Sequence, residues 1–477
     1  MTTAQVSPPP AAREAGAPLD VHPAIVATVA RARAAFDRGV TRPIEWRLEQ
    51  LRQLERMVLE NEARFVAALA SDLGKPSFES WAAETNYIVD DARYIARHLR
   101  SWAAPKRVAS ALFVQPARSR IEHDPLGVVL VIAPWNYPMQ LSLSPLAGAI
   151  AGGNAVVLKP SEVSPASSAL LAELVPKYLD REAVHVVEGA VAETTTLLAE
   201  RFDHIFYTGN GAVARVVMTA AAKHLTPMTL ELGGKSPTIV LRDADLDVAA
   251  RRIAWGKFFN AGQTCVAPDY VLVDASVEEQ FVERIRACIT AFYGADPKAS
   301  PDFGRIVSQR HLKRLVGLLS AGDVVVGGTY DTETRYLAPT LLRDVPLDAP
   351  VMCEEIFGPI LPIVPIDGLD AAIAFVRERP KPLALYVFTG SRSAADEVLA
   401  RTSSGGACVN DVVSHLVPHD LPFGGVGPSG MGAYHGRHSF ETFTHRKSVL
   451  DKPTFIDPPV RYPPYSEATL KWLKRLM

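Results

Sequence analysis

The sequence of 477 residues has only four cysteines, and they stand far apart. No two of them form a Cys-x-x-Cys pair and no histidine stands at ligand spacing, so neither a zinc site nor a disulfide framework is expected. Isolated thiols of this kind favour a reducing compartment, and we expect a cytoplasmic protein without a bound metal. The four are Cys265, Cys288, Cys353 and Cys408.

The sequence also lacks a hydrophobic run long enough to span a bilayer, and it lacks a strong net charge. Its formal charge of -2 at pH 7 gives no electrostatic case for binding nucleic acid or acidic membranes. We therefore expect small molecules and further copies of the chain as partners.

The two ends of the chain differ from the rest in composition. Residues 1–20 are rich in Pro and Ala and have no apolar core of signal-peptide length, which predicts a disordered tail. Residues 470–476 form a short basic amphipathic stretch, for which we favour a helix packed on its own domain over association with a membrane.

What the sequence does contain is a long alternation of helical and strand patterns. Its length exceeds what one hydrophobic core fills, so two or three domains are expected. Three helical stretches come first, near residues 22–38, 42–73 and 77–102, and Gly74 is placed to end the second. Strands rich in Val, Ile and Leu then alternate with helices over residues 127–409, in two series, which predicts an α/β fold with two doubly wound parallel sheets.

Three further segments lie outside the alternating series. Residues 119–123 and 441–450 alternate polar and apolar side chains, as strands do; such strands usually pair, and an exposed pair favours contact with a partner subunit. The glycine-rich residues 421–432 have too few charges to hold a phosphate group. Phe423 and its apolar neighbours favour a packed loop that lines a cavity over a linker.

Cys265 is the best candidate for a nucleophile. A single cysteine among apolar neighbours is more often an inert buried thiol, but Cys265 ends the polar loop 259–265, in which Gly262 lets the backbone come close to a ligand. Cys288 and Cys408 lie in apolar helix and strand patterns. A free thiol is mostly protonated at neutral pH, so a base or a positive dipole is expected near Cys265.

A carboxylate and an amide each follow an apolar strand-like run further upstream. Glu231 lies in Leu-Glu-Leu-Gly-Gly-Lys and Asn136 in Pro-Trp-Asn-Tyr-Pro. A base and an oxyanion donor are therefore both available on loops. The residues around Asn136 are also typical of an ordinary turn, so a purely structural role for Asn136 stays open.

The sequence leaves two interpretations of a cofactor site open. Gly209, Asn210 and Gly211 begin a segment that fits G-x-G-x-x-A, and Glu231 lies at the right distance to bind a ribose; on this interpretation Glu231 is no base. The match is weak, because at least three strands precede it. Lys159 and Glu162, at the end of another strand, could bind ribose hydroxyls or form a solvated turn.

Taken together, these motifs resemble the NAD(P)-dependent aldehyde dehydrogenase superfamily from about residue 22 onward. The family's order is kept by Asn136, Glu231, Cys265 in Gly-Gln-Thr-Cys, and Glu355 with Phe357 in Glu-Glu-Ile-Phe-Gly-Pro. The glycine-rich C-terminal stretch resembles the class 3 branch, which includes fatty-aldehyde, benzaldehyde-type and coniferyl aldehyde enzymes.

The resemblance implies a catalytic role for three residues. Cys265 would attack an aliphatic or aromatic aldehyde, and the Asn136 side chain with the Cys265 backbone N–H would hold the oxyanion. Glu231 would activate the water that converts the thioester to the carboxylic acid. The resemblance therefore favours the role of a base over that of a ribose ligand for Glu231. Alternatives are an acyl-transfer enzyme, either a CoA-acylating dehydrogenase or a thiol esterase, and a structural homologue that has lost activity.

The resemblance also implies NAD as the cofactor and allows NADP. Lys159 and Glu162 would contact the adenosine ribose, and Glu355 and Phe357 the nicotinamide ribose. One departure is that Gly211 and Ala214 replace the Thr and the second Gly of the family's Gly-x-Thr-x-x-Gly, which predicts weakened or shifted cofactor binding. The other expected cofactor contacts are Trp135, Gly209, Asn210, Gly211, Leu232 and Gly233.

The resemblance further implies the walls of the substrate pocket and the domain order. We expect a cofactor-binding domain at 21–235, a catalytic domain at 236–412, and a return to the first domain and an oligomerisation strand at 413–477. Residues 112–124 would contribute to the small β oligomerisation element, and the branch favours a homodimer. The expected pocket residues are Tyr137, Gln140, Asn260, His415 and Phe423.

Overall fold

The structure, a computed structural model, describes residues 22–457 and 459–476. The predicted tail at residues 1–20 lies outside these ranges. The three N-terminal helical stretches form as predicted, except that Asn61 divides the second; Gly74 ends it with a left-handed φ of 57°. The helices are α1 (Pro23–Asp37), α2 (Ile44–Glu60), α3 (Glu62–Leu73), α4 (Ser77–Ser80), α5 (Asn86–Ala103), α6 (Gln140–Gly152), α7 (Pro165–Tyr178), α8 (Val191–Ala199), α9 (Gly211–Ala222), α10 (Leu246–Phe258), α11 (Glu278–Tyr293), α12 (Gln309–Leu318), α13 (Pro350–Cys353), α14 (Gly368–Arg377), α15 (Arg392–Arg401), α16 (Gly436–Thr442) and α17 (Glu467–Leu476).

The strands form two large sheets, one small sheet and a short hairpin. They are β1 (Lys106–Val108), β2 (Arg118–Pro125), β3 (Val128–Ile132), β4 (Ala155–Lys159), β5 (Val184–Val186), β6 (His204–Thr208), β7 (Met228–Glu231), β8 (Pro237–Val240), β9 (Tyr270–Asp274), β10 (Asp323–Val326), β11 (Tyr330–Asp331), β12 (Tyr336–Leu337), β13 (Thr340–Arg343), β14 (Ile360–Ile366), β15 (Ala384–Phe388), β16 (Gly406–Val409), β17 (Gly430–Met431) and β18 (Thr444–Asp451).

The first sheet has the strand order β17-β7-β6-β3-β4-β5, and all its strands except β17 run parallel. Every residue of β3 and β4 is buried, as expected for strands covered by helices on both faces. The chain runs from β3 outward to β5 and then returns to β6 on the other side of β3. The switch point lies between β3 and β6, where ligands bind in sheets of this type.

The second sheet has the order β10-β13-β14-β9-β8-β15-β16, with its switch point between β8 and β15. The α/β fold with two doubly wound sheets is confirmed. Each sheet also has one antiparallel edge strand, which is β17 in the first sheet and β10 in the second. The sequence predicted a loop where β17 forms. Its Gly430 is required there, because a Cβ at this position would lie 2.3 Å from the Leu230 carbonyl oxygen.

The small sheet joins the two outlying segments, as predicted. Strand β2 pairs antiparallel with β18 from Arg118 opposite Asp451 to Pro125 opposite Thr444, and with β1 on its other side. β18 begins only at Thr444, because the preceding residues form α16. The C-terminal stretch forms α17, but Leu470 and Trp472 are 52% and 54% exposed, so the predicted packing on its own domain covers this helix only partly.

Candidate functional site

The carboxyl ends of strands in the first sheet meet the amino ends of strands in the second. Asn136 follows β3, and Glu231 is the last residue of β7. Cys265 precedes β9 and Glu355 precedes β14. The segments predicted to carry chemistry are therefore brought to one region, at the edge of the first sheet where its switch point lies.

The loop before Cys265 has an unusual backbone. Asn260 and Ala261 have φ values of 52° and 50°, and Gly262 follows with 73°, so three successive residues are left-handed. A Cβ at Gly262 would lie 2.3 Å from the Gly358 carbonyl oxygen, so only glycine fits there. Such a backbone persists only where its surroundings fix it, and it is a feature of functional sites.

Asn136 connects this loop to the first sheet. Its side-chain Nδ2 donates to the Gln263 carbonyl oxygen at 3.1 Å, while its own carbonyl oxygen accepts from Asn260 Nδ2 at 2.9 Å. The Tyr137 hydroxyl lies 2.6 Å from the Thr264 Oγ1. An amide nitrogen has two N–H groups, and the contact with Gln263 uses one, so the Asn136 amide can still donate to a ligand.

Glu231 is a buried carboxyl group without a hydrogen-bond partner. The residue is 3% exposed, and neither oxygen is hydrogen-bonded within the described part of the chain. Burial raises the pKa of Glu231 well above its ordinary value. Buried polar atoms are normally paired, so these oxygens are available to water or a ligand.

The thiol of Cys265 is strongly disfavoured as a thiolate in this structure. Burial raises its pKa most, and the Glu355 and Glu231 carboxylates raise it further. The backbone N–H groups of Cys265 and Val266 act in the opposite direction. A base or a change in the surrounding charge is therefore needed before the sulfur can act as a nucleophile.

Glu355 and Phe357 lie against residues of the first sheet. A Cβ at Gly233 would lie 2.1 Å from Glu355 Oε2, while Glu355 Oε1 is buried and, within the described residues, lacks a partner. Burial raises the pKa of Glu355 to about 8, with the Asp269 carboxylate as the next cause. The Phe357 ring lies 5.2 Å from the Trp135 ring. A bare carboxylate oxygen beside glycine fits a ribose hydroxyl.

The other predicted cofactor residues follow neighbouring strands of the same sheet. Lys159 Nζ donates to Glu162 Oε2 at 2.8 Å, with the Lys159 side chain buried and that of Glu162 45% exposed. Asn210 Oδ1 accepts from the Val213 N–H at 3.0 Å and so caps α9. The Lys–Glu pair is thus no ordinary solvated turn, because its ammonium group is buried.

The departures at Gly211 and Ala214 have different surroundings. The Ala214 side chain is 2% exposed, so its additional methyl group packs inside the protein. The Gly211 carbonyl oxygen accepts from Arg215 Nη1 at 2.9 Å, while a Cβ at Gly209 would lie 2.3 Å from the Tyr207 hydroxyl. Leu232 is buried, and its N–H donates to the Ser429 carbonyl oxygen at 3.1 Å.

The predicted pocket residues fall into two groups. Tyr137 and Asn260 lie on the loops around Asn136, and Gln140 begins α6 just after it. His415 and Phe423 lie near each other, with their ring centroids 6.3 Å apart.

Tyr386 connects the second group to the segment that carries Cys265. The His415 ring lies 6.1 Å from the Tyr386 ring, and the Tyr386 hydroxyl donates to the carbonyl oxygen of Val266, next to Cys265, at 2.6 Å. His415 Nδ1 lies 3.3 Å from Cys408 Sγ, and burial lowers the pKa of His415 to about 4, so the His415 ring is uncharged at neutral pH.

Sequence reasoning missed three buried charged residues beneath these loops, Lys75, Glu79 and Glu84. Charges at their spacing normally form a solvated helix face, and no sequence signal distinguishes them.

Within residues 22–457 and 459–476 no helix is long and apolar enough to cross a membrane. The same ranges contain no group of three or more His, Cys, Asp and Glu side chains arranged to hold a metal ion.

Comparison with known proteins gives consistent matches over most of the chain. The model of the aldehyde dehydrogenase family matches residues 8–449. The protein named aldehyde dehydrogenase, dimeric NADP-preferring, from Canis lupus familiaris is 52% identical over 438 residues, which are 91% of this chain and 97% of that protein.

Solved structures match equally widely. The substrate-bound state of Staphylococcus aureus AldH is 43% identical with a TM-score of 0.93, and the match covers 95% of this chain and 99% of that one. Indole-3-acetaldehyde dehydrogenase in complex with NAD+ is 27% identical with a TM-score of 0.83, covering 90% of this chain and 89% of that one.

The raised pKa of Cys265 can be measured by alkylation with iodoacetamide, with peptide mass spectrometry to separate the thiols. We expect Cys265 to react at least about tenfold more slowly than the exposed Cys353 at pH 7, because its thiolate is scarce. At pH 9, where Glu355 with its pKa of about 8 is ionised, Glu355→Gln should raise the rate at Cys265, whereas the same change at the exposed neighbour Glu354 should not. Faster labelling of Cys265 than of Cys353 would contradict the expected direction.

Proposed function

The chain belongs to the aldehyde dehydrogenase family, and we propose that it oxidises an aliphatic or aromatic aldehyde to the carboxylic acid through a thioester on Cys265. One observation supports this most directly. A thiol, an unpaired buried carboxyl group and an amide with a free N–H lie in one region, on Cys265, Glu231 and Asn136.

The first step is attack by Cys265 on the aldehyde. The Cys265 thiol gives its proton to a water molecule, Sγ forms a bond to the carbonyl carbon, and the electron pair of the C=O π bond moves to the oxygen, which becomes an oxyanion. The free N–H of Asn136 and the backbone N–H of Cys265 stabilise this charge. Because the contact with Gln263 already fixes the Asn136 amide, little reorganisation is needed when the charge forms.

The second half of the reaction depends on Glu231. Loss of hydride from the former aldehyde carbon leaves a thioester, and Glu231 takes a proton from the water whose oxygen attacks that thioester. The C–S bond breaks, the acid departs, and Cys265 is regenerated. A carboxyl group with a raised pKa suits this role, since it holds a proton better than an ordinary carboxylate does.

The cofactor supplies the hydride acceptor. Lys159 and Glu162 would hold the adenosine ribose, since a buried ammonium and a half-exposed carboxylate lie side by side at the end of β4. Glu355 and Phe357 would hold the nicotinamide ribose, supported by the unpaired Glu355 oxygen beside Gly233. The remaining contacts would come from Trp135, Gly209, Asn210, Gly211 and Leu232.

We infer that NAD is bound and that NADP is accepted. The negative charge of Glu162 would repel a 2′-phosphate, while its 45% exposure lets the side chain turn away. The canine relative is named NADP-preferring, and the indole-3-acetaldehyde dehydrogenase structure holds NAD+. The Ala214 methyl group is buried in packing, so we expect it to affect cofactor binding less than the lost hydroxyl at Gly211 does.

The proposed domain division assigns cofactor binding to residues 21–235 and the nucleophile to residues 236–412, with residues 413–477 returning to the first domain. The pairing of β17 with β7 supports that return.

Acyl transfer to CoA is disfavoured, because a base at Glu231 would hydrolyse the thioester. Loss of activity is disfavoured by the presence of all three catalytic side chains.

We also propose a cytoplasmic homodimer that forms through the small sheet. Strands β1 and β18 are its edges, and such edges offer unpaired backbone groups to a second copy. Leu112 and Phe113 beside β1 are 75% and 77% exposed, which is unusual for side chains of this size. The canine relative is itself named dimeric.

Catalysis can be tested by following NADH and NADPH formation with hexanal, a long-chain aldehyde, benzaldehyde and coniferyl aldehyde. Cys265→Ala should reduce turnover by more than about 10⁴-fold, because no other described thiol can replace it. Glu231→Gln should leave a burst of one equivalent of reduced cofactor and slow steady turnover by about 10²–10⁴-fold, with a thioester on Cys265 in mass spectra. Cys288→Ala serves as the control, and turnover that survives in Cys265→Ala would refute the mechanism.

Cofactor preference is measured as the ratio of kcat/KM for NAD and NADP. We expect a ratio that favours NAD in the wild type, and Glu162→Gln should shift it toward NADP by about tenfold, because a charge that repels the 2′-phosphate is removed. Glu188 follows β5 at the same edge of the sheet, so Glu188→Gln is a matched control. A clear NADP preference in the wild type would show that Glu162 does not exclude the phosphate.

The oligomeric state can be measured by light scattering during gel filtration. We expect a particle of twice 51.7 kDa. Replacing both Leu112 and Phe113 by Asp should yield monomers, since charges would be buried at the edge contact. Leu225, between α9 and β7 of the first sheet, is 90% exposed, and Leu225→Asp should stay dimeric. A monomeric or tetrameric wild type would count against this proposal.

A further inference from the structure

A buried ion pair lies directly beneath the catalytic loops. Lys75 Nζ contacts Glu84 Oε1, and both side chains are fully buried. Removing two charges from water is costly, and well-packed apolar residues in place of such a pair often leave a protein equally or more stable. Stability alone therefore does not explain why Lys75 and Glu84 are charged.

The pair holds the segment 136–140 at both of its ends. Lys75 Nζ donates to the Asn136 carbonyl oxygen at 3.1 Å. Glu84 Oε2 accepts the backbone N–H groups of Met139 and Gln140 at 2.9 and 3.0 Å, at the start of α6. A carboxylate is favoured at the amino end of a helix, so this contact is firm.

Tyr137, between these two ends, is held by the same ammonium group. Lys75 Nζ lies 4.1 Å from the centroid of its ring, a distance at which a cation is attracted to the aromatic face. The Tyr137 hydroxyl in turn contacts Thr264. The ion pair therefore fixes the backbone from which the Asn136 side chain projects.

A third buried ionisable side chain extends this arrangement to the loop before Cys265. Glu79 Oε2 accepts the Asn260 N–H at 2.9 Å. Asn260 Nδ2 then donates both to the Asn136 carbonyl oxygen and to the Gln263 carbonyl oxygen, the same atom that the Asn136 amide contacts. The Asn136 amide is thus fixed from two directions.

The local backbone agrees with a functional role for Glu84. It lies in a π-helical turn, Trp81–Thr85, between α4 and α5. Such turns are rare and occur frequently at functional sites, because the additional residue changes the direction of a side chain.

We propose that Lys75 and Glu84 are positioning residues that hold the Asn136 amide in place for the oxyanion. The proposal rests on the oxyanion role given to Asn136 above. Neither residue contacts the reacting atoms. They act on the carbonyl oxygen of Asn136 and on the N–H groups that follow it, and Glu79 holds the facing loop.

A double-mutant cycle between Lys75 and Asn136 tests this proposal. In the full-length wild type, Asn136→Ala should lower kcat/KM with hexanal and NAD by about 10²-fold or more. In a Lys75→Met background, where the amide is already displaced, the same change should cost less than about threefold. Glu84→Gln keeps an oxygen for the Met139 and Gln140 N–H groups but removes the ion pair. In this background too, Asn136→Ala should lower kcat/KM by less than it does in the wild type.

Asp72 provides a matched control close to Lys75 in the chain. It is also buried, but its oxygens accept the N–H groups of Ala166 and Ser167 at the start of α7. Asp72→Asn should lower the midpoint temperature of thermal unfolding. In that background Asn136→Ala should still lower kcat/KM by about 10²-fold or more. Lys75→Arg, which retains the charge, should restore part of the coupling.

The outcomes separate the two proposals. If Asn136→Ala costs about 10²-fold in every background, the mechanism stands and the positioning role of Lys75 and Glu84 is refuted. If Asn136→Ala costs nothing in the wild type, the oxyanion role itself fails, and the positioning proposal fails with it. If Lys75→Met does not fold, the Glu84→Gln cycle decides by the same criterion.

Discussion

The hydrogen bond from the Asn136 amide to the Gln263 carbonyl oxygen joins the two halves of the site. One partner follows a strand of the first sheet and the other precedes a strand of the second. The contact is buried, so the polar groups that hold it in place are expected to be paired inside the protein. Asn260 and the buried ion pair supply those partners, and they make the left-handed backbone before Cys265 the stable conformation.

The same region concentrates acidic groups away from water. Glu231, Glu355 and Cys265 all have pKa values raised by burial, and the two carboxylates act on the thiol. A carboxyl group whose pKa is higher in the folded than in the unfolded chain binds more protons when folded, so it lowers stability as the pH rises. For Glu355 this loss develops between its ordinary value of 4.5 and about 8. The burial of Glu355 thus lowers the stability of the fold as the pH rises through this range.

The sequence was sufficient for the parts of the fold that depend on local pattern. Apolar strands between helices predicted both parallel sheets, and alternation predicted the pairing of β2 with β18. Strand β17 was missed, because two residues in a glycine-rich stretch carry no strand pattern, and their pairing depends on how closely Gly430 approaches Leu230.

The candidate site was predictable to a similar degree. Cys265, Glu231 and Asn136 follow from motifs with recognisable chemistry. Lys75 and Glu84 do not, since a buried ion pair and a solvated one look alike in a sequence until the fold shows which side of a helix is covered. Their contacts span about sixty residues of chain, a separation over which spacing has no predictive value.

Strand β17 has a consequence for the order in which the protein is made. Glu231 lies opposite Gly430, nearly two hundred residues later in the chain. Until that glycine leaves the ribosome, β7 is an uncovered edge, and the strand that ends in Glu231 has a free row of backbone groups. A nascent chain can therefore contain the whole loop before Cys265 well before it contains the residues that surround Glu231. During synthesis this edge is therefore open to pairing with a wrong partner.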